Sequence, residues 1–214
     1  MALKAVEKAI DNKQEVTIKP PNLQVATFKI TGTAPYMQHR FSKKAEIMLK
    51  QQQGSTAQSK KKRAPRDFEK DYLEALYVSA EGWHGIPAAA FRKAMISACR
   101  LVNFTMTRAK LSVFILHDGI DEREGMPLVK ITKGTPERNL APVRLANGNV
   151  DIAVRPLWRE WQATLRIRYD ADQFTLEDVA NLLERAGMQV GVGEGRPDSK
   201  DSAGIGYGTF TSVD

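Results

Sequence analysis

Cysteine is nearly absent from this 214-residue chain: Cys99 stands alone. One cysteine excludes an intrachain disulfide framework and a paired-cysteine zinc site. Cys99 falls in a helical apolar pattern and reads as a core residue. Histidine is scarce and scattered, at His39, His84 and His117, too dispersed for a metal set. No apolar run approaches the ~20 residues that span a bilayer. Lys4, Glu7 and Lys8 interrupt Met1–Ile10, so no secretory leader is expected. These absences predict an intracellular, cytoplasmic protein with no membrane partner.

Catalytic signatures are missing as well. There is no Gly-x-Ser-x-Gly elbow and no P-loop. Gly191–Gly195 superficially resembles a dinucleotide loop, but it follows a helix and precedes the last strand, the wrong order for such a site. Asp118, Asp121, Glu122 and Glu124 are close enough to suggest a metal, yet they read better as a solvated acidic turn. Asp67 and Asp71 could serve phosphodiester cleavage; a helix cap and a helix-surface charge are the better reading. A non-enzymatic protein without a cofactor is expected.

Positive charge is what the chain does have. Its net charge is +7, and the location of that charge matters more than the total. Residues 40–66 hold nine cations, Arg40, Lys43, Lys44, Lys50, Lys60, Lys61, Lys62, Arg63 and Arg66, against the single acid Glu46. The remainder is nearly neutral. Such a local excess suits a basic arm that engages phosphates, or else a solvated insertion without a ligand. Residues 51–66 contain no apolar side chain larger than alanine, which predicts a flexible loop in the free protein.

Periodicity organises the rest. Residues 1–21 read as an N-terminal arm ending at Pro20-Pro21, and 22–214 as a single α+β domain. A strand is expected over about 23–33, with Ala26, Phe28 and Ile30 on one face. Helices are expected over 42–52 and 67–77. The next helix starts at Pro87 and carries an Ala90, Phe91, Ala94, Met95, Ala98 stripe. Residues 110–117 read as a central strand, apolar on both faces. A short strand follows at 128–132, then a hairpin around Asn147-Gly148. The clearest strand covers 161–169, with Trp161, Ala163, Leu165, Ile167 and Tyr169 inward and Thr164, Arg166 and Arg168 outward. Thr175 opens the last helix and Gly187 closes it. A glycine-rich segment, 191–208, leads to a final strand. The order is compatible with one antiparallel or mixed sheet carrying helices on one face.

Three features form a candidate binding constellation. The basic segment contributes His39, Arg40, Lys43, Lys44, Lys60, Lys61, Lys62, Arg63 and Arg66. Arg166 and Arg168 lie about 7 Å apart on one sheet face, near the phosphate repeat of an extended strand. The glycine-rich loop, with Arg196 and Tyr207, offers backbone N–H groups to phosphates. Tyr36, Phe41 and Tyr207 are candidate platforms for bases, although each alone reads more readily as core. Arg92 and Lys93 add cations from the Pro87 helix.

Gly85-Ile86-Pro87-Ala88-Ala89-Ala90-Phe91-Arg92-Lys93-Ala94 resembles a motif of the RAMP superfamily, whose members form backbone subunits of CRISPR effector complexes. Gly204-Ile205-Gly206-Tyr207-Gly208 resembles that superfamily's glycine-rich loop. The resemblance implies a ferredoxin-like or RRM-like antiparallel sheet with helices on one face and an inserted, flexible basic loop. It implies single-stranded RNA or DNA as partner and a homo-oligomer or filament. Thr105–Thr107, Trp161–Leu165 and Val190–Glu194 are also similar to small tailed-phage proteins, which implies a phage or prophage origin and a bacterial host cell. The alternatives are a phage structural protein whose basic loop docks an acidic protein surface, and a magnesium-dependent nuclease.

Overall fold

A computed structural model describes residues 18–40, 67–144, 150–199 and 204–213. The expected helix at 42–52, the loop at 51–66, the turn at Asn147-Gly148 and most of the N-terminal arm lie outside the described residues.

Six elements form the central body. They are β1 (Leu23–Gly32), α2 (Ala88–Ala98), β4 (Val113–Leu116), β9 (Gln162–Asp170), α4 (Leu176–Arg185) and β10 (Phe210–Val213). Their sequence order is βαββαβ. Their spatial order is β10–β1–β9–β4, with every pair antiparallel. This is the ferredoxin-like arrangement, with the two central strands being the first and third.

Two insertions decorate it. Between β1 and α2 come β2 (Tyr36–Met37), α1 (Phe68–Ala75) and β3 (Gly85–Pro87). Helix α3 (Met106–Ser112) leads into β4. Between β4 and β9 come β5 (Gly119–Ile120), β6 (Pro127–Lys133), β7 (Glu137–Arg144) and β8 (Val150–Trp158). Strand β6 extends the main sheet beside β4 by pairing Ile131 with Ala163, while β2, β8 and β7 form a separate three-stranded sheet.

Alternation decides which face of the sheet is inner. Trp161, Ala163, Leu165, Ile167 and Tyr169 are all buried, as are Ile30, Val113 and Phe210. Phe91, Ala94, Met95 and Ala98 of α2 and Val179, Leu182 and Leu183 of α4 cover them. Each such large apolar side chain contributes about 1.5–3 kcal/mol by leaving water. On the outer face, Val25, Thr27 and Lys29 of β1 are exposed beside Thr164, Arg166 and Arg168 of β9.

Strand β10 pairs only with Lys29–Gly32. The outer edge of β1 from Leu23 to Phe28 therefore has no strand beside it among the described residues.

Three boundaries differ from the sequence reading. Residues 110–112 belong to helix α3, and β4 is an edge strand, not a central one. Its outward Phe114 is covered by arginine side chains, so apolar character on both faces did not require a strand on each side. Pro87 is the N-cap of α2, one residue before its first turn. Gly187 does not close α4; the chain continues through a π-type turn, Ala186–Val190, and stops at Gly191, φ 71°. Gly187 serves a close approach instead, since a Cβ there would lie 2.2 Å from the Phe210 carbonyl oxygen.

Candidate nucleic-acid interface

A cleft of about 780 Å³ opens on the helix side of the sheet. Three stretches of chain build it: Gln38 and His39 after β2, the exposed side of α2 with the adjoining α3, and the glycine-rich segment from Val190 to Asp198.

A buried polar plug fixes the first wall. The Gln38 amide donates to the Gly85 carbonyl at 2.8 Å and to the Tyr36 hydroxyl at 3.0 Å, and its oxygen accepts from the Tyr77 N–H at 2.8 Å. His39 follows with its ring at the cleft. Arg40 turns the other way and is 4% exposed. Its guanidinium grips Asp121 through two bonds of 2.9 Å, reaches Glu124 at 3.1 Å and donates to the Leu76 carbonyl. Arg40 is thus committed to the fold, with both terminal amino groups of its guanidinium taken. Asp121, likewise buried, is the partner that makes this possible, so the acidic turn is not fully solvated.

The second wall comes from α2. Phe91 and Met95 enter the core, which leaves Ala89, Ala90 and Lys93 toward the cleft. Lys110 joins them from α3.

The glycine-rich segment is folded back on its own backbone. Val192 N–H donates to the Gly208 carbonyl at 2.9 Å, Gly208 N–H to Pro35 at 2.7 Å, and Ile205 and Tyr207 N–H to Gly195 at 3.0 and 3.1 Å. Glu194 N–H ties it to Met37 at 2.9 Å. A Cβ at Gly208 would lie 1.7 Å from the Val192 carbonyl oxygen. This corrects the role expected of Gly193, Gly204 and Gly208, which admit the protein's own main chain, and the N–H groups of Val192, Glu194, Ile205, Tyr207 and Gly208 are already used.

Charge on the cleft is one-sided. Its two carboxylates are both engaged. Glu194 takes the Arg155 Nε at 2.6 Å and the His39 Nδ1 at 3.2 Å. Asp198 takes Arg100 at 2.7 Å and the Ser97 hydroxyl, and these hydrogen bonds hold it below the usual carboxylate range. Burial lowers the His39 pKa, the Arg155 charge lowers it further and Glu194 opposes both. Lys93, Lys110 and Arg196 line the same space, and none forms an ion pair among the described residues. Arg196 donates to the Gly193 carbonyl at 3.1 Å, which braces it without neutralising it.

The structure therefore brings His39, Lys93 and Arg196 together and places the other described candidates elsewhere. Arg166 and Arg168 lie on the outer face of the sheet. Arg166 is occupied by the His117 carbonyl at 2.6 Å and by Asp118 at 3.3 Å. Arg168 lies over the Phe114 ring, and so does Arg92. Tyr207 is half-buried within the glycine-rich segment. Tyr36 is in the core, where burial raises its phenol pKa, and is not a base platform. Lys43, Lys44, Lys60, Lys61, Lys62, Arg63, Arg66 and Phe41 lie outside the described residues. Sequence reading missed Lys110 and Phe114. The 110–117 strand assignment hid both, and Thr105 before Met106-Thr107-Arg108-Ala109 was the available helix-start signal.

No protein-family model matches the chain, and no curated protein is similar to it. One solved structure that it resembles is a chain of the type III-B Cmr-beta complex bound to cognate target RNA, determined by cryo-electron microscopy. The TM-score is 0.49 and the identity 12%, over all of this chain and 63% of that one.

Proposed function

We propose that this protein binds single-stranded nucleic acid along the phosphate backbone and catalyses no reaction. The observation that carries this reading is the cleft's charge. Lys93 and Lys110 face it without an ion pair among the described residues, Arg196 feels only the longer-range charge of Asp198, and both carboxylates in the wall are already held by other arginines. The sequence adds a second support, because eight cations from Lys43 to Arg66, against the single acid Glu46, follow directly beyond Arg40. Phosphate neutralisation by clustered cations dominates such binding and makes it salt-dependent.

Three of the carboxylates that a metal-dependent nuclease would use are engaged within the fold. Asp67 caps α1 by accepting from the Glu69 and Lys70 N–H groups. Asp121 is bound to Arg40, and Asp118 accepts from Arg166 and from the Lys130 N–H. The finer reading, a self-associating backbone subunit of a ribonucleoprotein, rests on the resemblance of Gly85–Ala94 and Gly204–Gly208.

Titration with labelled single- and double-stranded oligonucleotides at several salt concentrations tests the proposal. Tight single-strand binding that weakens with salt is expected. Replacing Lys93, Lys110 and Arg196 with glutamine lowers the slope of log K against log salt by about 2, at about 0.7 per lost contact. Binding that ignores salt, or co-purification with an acidic protein and no nucleic acid, contradicts it.

A further inference from the structure

The cleft ends at α3, and a chain of contacts runs from there around the edge of the sheet to its other face. Lys110 lines the cleft, and its backbone carbonyl accepts from the Arg92 guanidinium. Arg92 Nε also donates to the Val113 carbonyl at 2.9 Å. These two bonds fix the guanidinium at the β4 edge, its Cζ 4.9 Å from the centroid of the Phe114 ring. The same ring carries Arg168, its Cζ at 5.0 Å. Phe114 and Arg168 are direct cross-strand partners, and both point away from the buried row that includes Val113, Leu165 and Ile167.

Arg168 differs from the neighbouring outward arginine. Arg166 has a carbonyl and a carboxylate partner. Arg168 has neither among the described residues, and its Nε is buried without a hydrogen-bond acceptor. A guanidinium carries five donors; one of Arg168's is buried unmet at a cost, and the terminal amino groups of this half-buried side chain are the ones an arriving acceptor would meet. The contact with the Phe114 ring restricts the guanidinium, so less freedom is left to lose when an acceptor arrives.

We infer that Arg168 is a phosphate contact on the outer face, reached by a strand that leaves the cleft at Lys110 and passes around the β4 edge. Phe114 and Arg92 are positioning residues for it. The inference rests on the nucleic-acid reading and adds the ligand's path. The outward side chains along the two central strands, Val25, Thr27, Lys29, Gln162 and Thr164, include no aromatic on which a base would stack. Phe114, the aromatic on the adjoining β4, is covered by Arg92 and Arg168, so the outer face reads phosphate and sugar and leaves the bases unread.

The test compares oligonucleotides of about 4 and about 16 nucleotides, the range spanned by single-strand sites. On the long one, Arg168→Gln lowers the salt slope by about 0.7. Its loss of affinity is larger on the long oligonucleotide than on the short one. Arg168→Lys keeps the slope and loses affinity, because the charge remains and the planar fork does not. Phe114→Leu weakens long-oligonucleotide binding, and Phe114→Tyr restores it. Thermal melts accompany each variant; if Arg168→Gln does not fold, the Lys, Leu and Tyr variants carry the comparison. Wild-type binding with an unchanged Arg168→Gln slope, or equal losses at both lengths, overturns the inference alone. Wild-type protein that binds neither oligonucleotide overturns nucleic-acid binding and the inference with it.

Discussion

Arg40 opens a run of cations in the sequence and ends up buried against Asp121, a residue 81 positions away. Charge run and residue type place it on the surface, and only the fold brings the carboxylate to it. Removing one member of a buried pair strands the other, which typically costs about 3–5 kcal/mol. Asp121→Asn is expected to lower unfolding free energy by that order in urea, and Arg40→Met with Asp121→Leu to recover part of it. His84 makes a second prediction at this scale. Burial lowers its pKa from 6.5, and its Nδ1 has no partner. Its neutral form is favoured in the folded state, so its contribution is present above the unfolded value and lost as pH falls below it. His39 acts in the same direction. The melting temperature of the wild type should fall between about pH 7 and about pH 5, and His84→Gln should flatten that fall. The inward row from Trp161 to Tyr169 was fully legible, because a period of two survives in any sheet with one buried face.

At the scale of elements, caps were readable and glycines were not. Thr175 and Asp178 form the reciprocal cap expected of an acidic first turn. The glycines of 191–208 have the composition of a ligand loop, but a glycine that faces a phosphate and one that faces a carbonyl look alike in sequence. Gly208 is of the second kind, at φ 68° and against the Val192 carbonyl. Gly208→Ala is expected to cost about 2 kcal/mol or more, combining left-handed strain with overpacking. The check is a denaturant titration alongside oligonucleotide affinity, which should fall as the cleft wall loosens. The α3–β4 boundary was illegible for a different reason. Lys110-Leu111-Ser112 runs into Val113-Phe114-Ile115-Leu116 without punctuation, and a short apolar run does not distinguish a helix end from a strand start.

For the whole molecule, the order of helices and strands was enough for an α+β fold, the resemblance of Gly85–Ala94 and Gly204–Gly208 added the ferredoxin-like sheet, and the β10–β1–β9–β4 pairings bear that out. Charge was legible only in part. The sequence locates its excess at 40–66, but the pairing of Glu194 and Asp198 with arginines is what leaves the cleft positive. Ligand affinity should consequently respond to salt more steeply than stability does, a contrast that parallel binding and melting series would measure.

The short reach of β10 has a consequence in exchange chemistry. Gly32 N–H donates to the Trp161 carbonyl, and Thr33 N–H to the Thr209 carbonyl. Amides along β1 thus alternate, the even-numbered ones toward β9 and the odd-numbered ones toward β10. Past Lys29 there is no β10 to receive them. Leu23, Val25 and Thr27 should trade their amide hydrogens for deuterium quickly, while Gln24, Ala26 and Phe28, interleaved with them, trade slowly. One strand would then carry a two-residue rhythm of fast and slow sites that ends where Lys29 meets Val213.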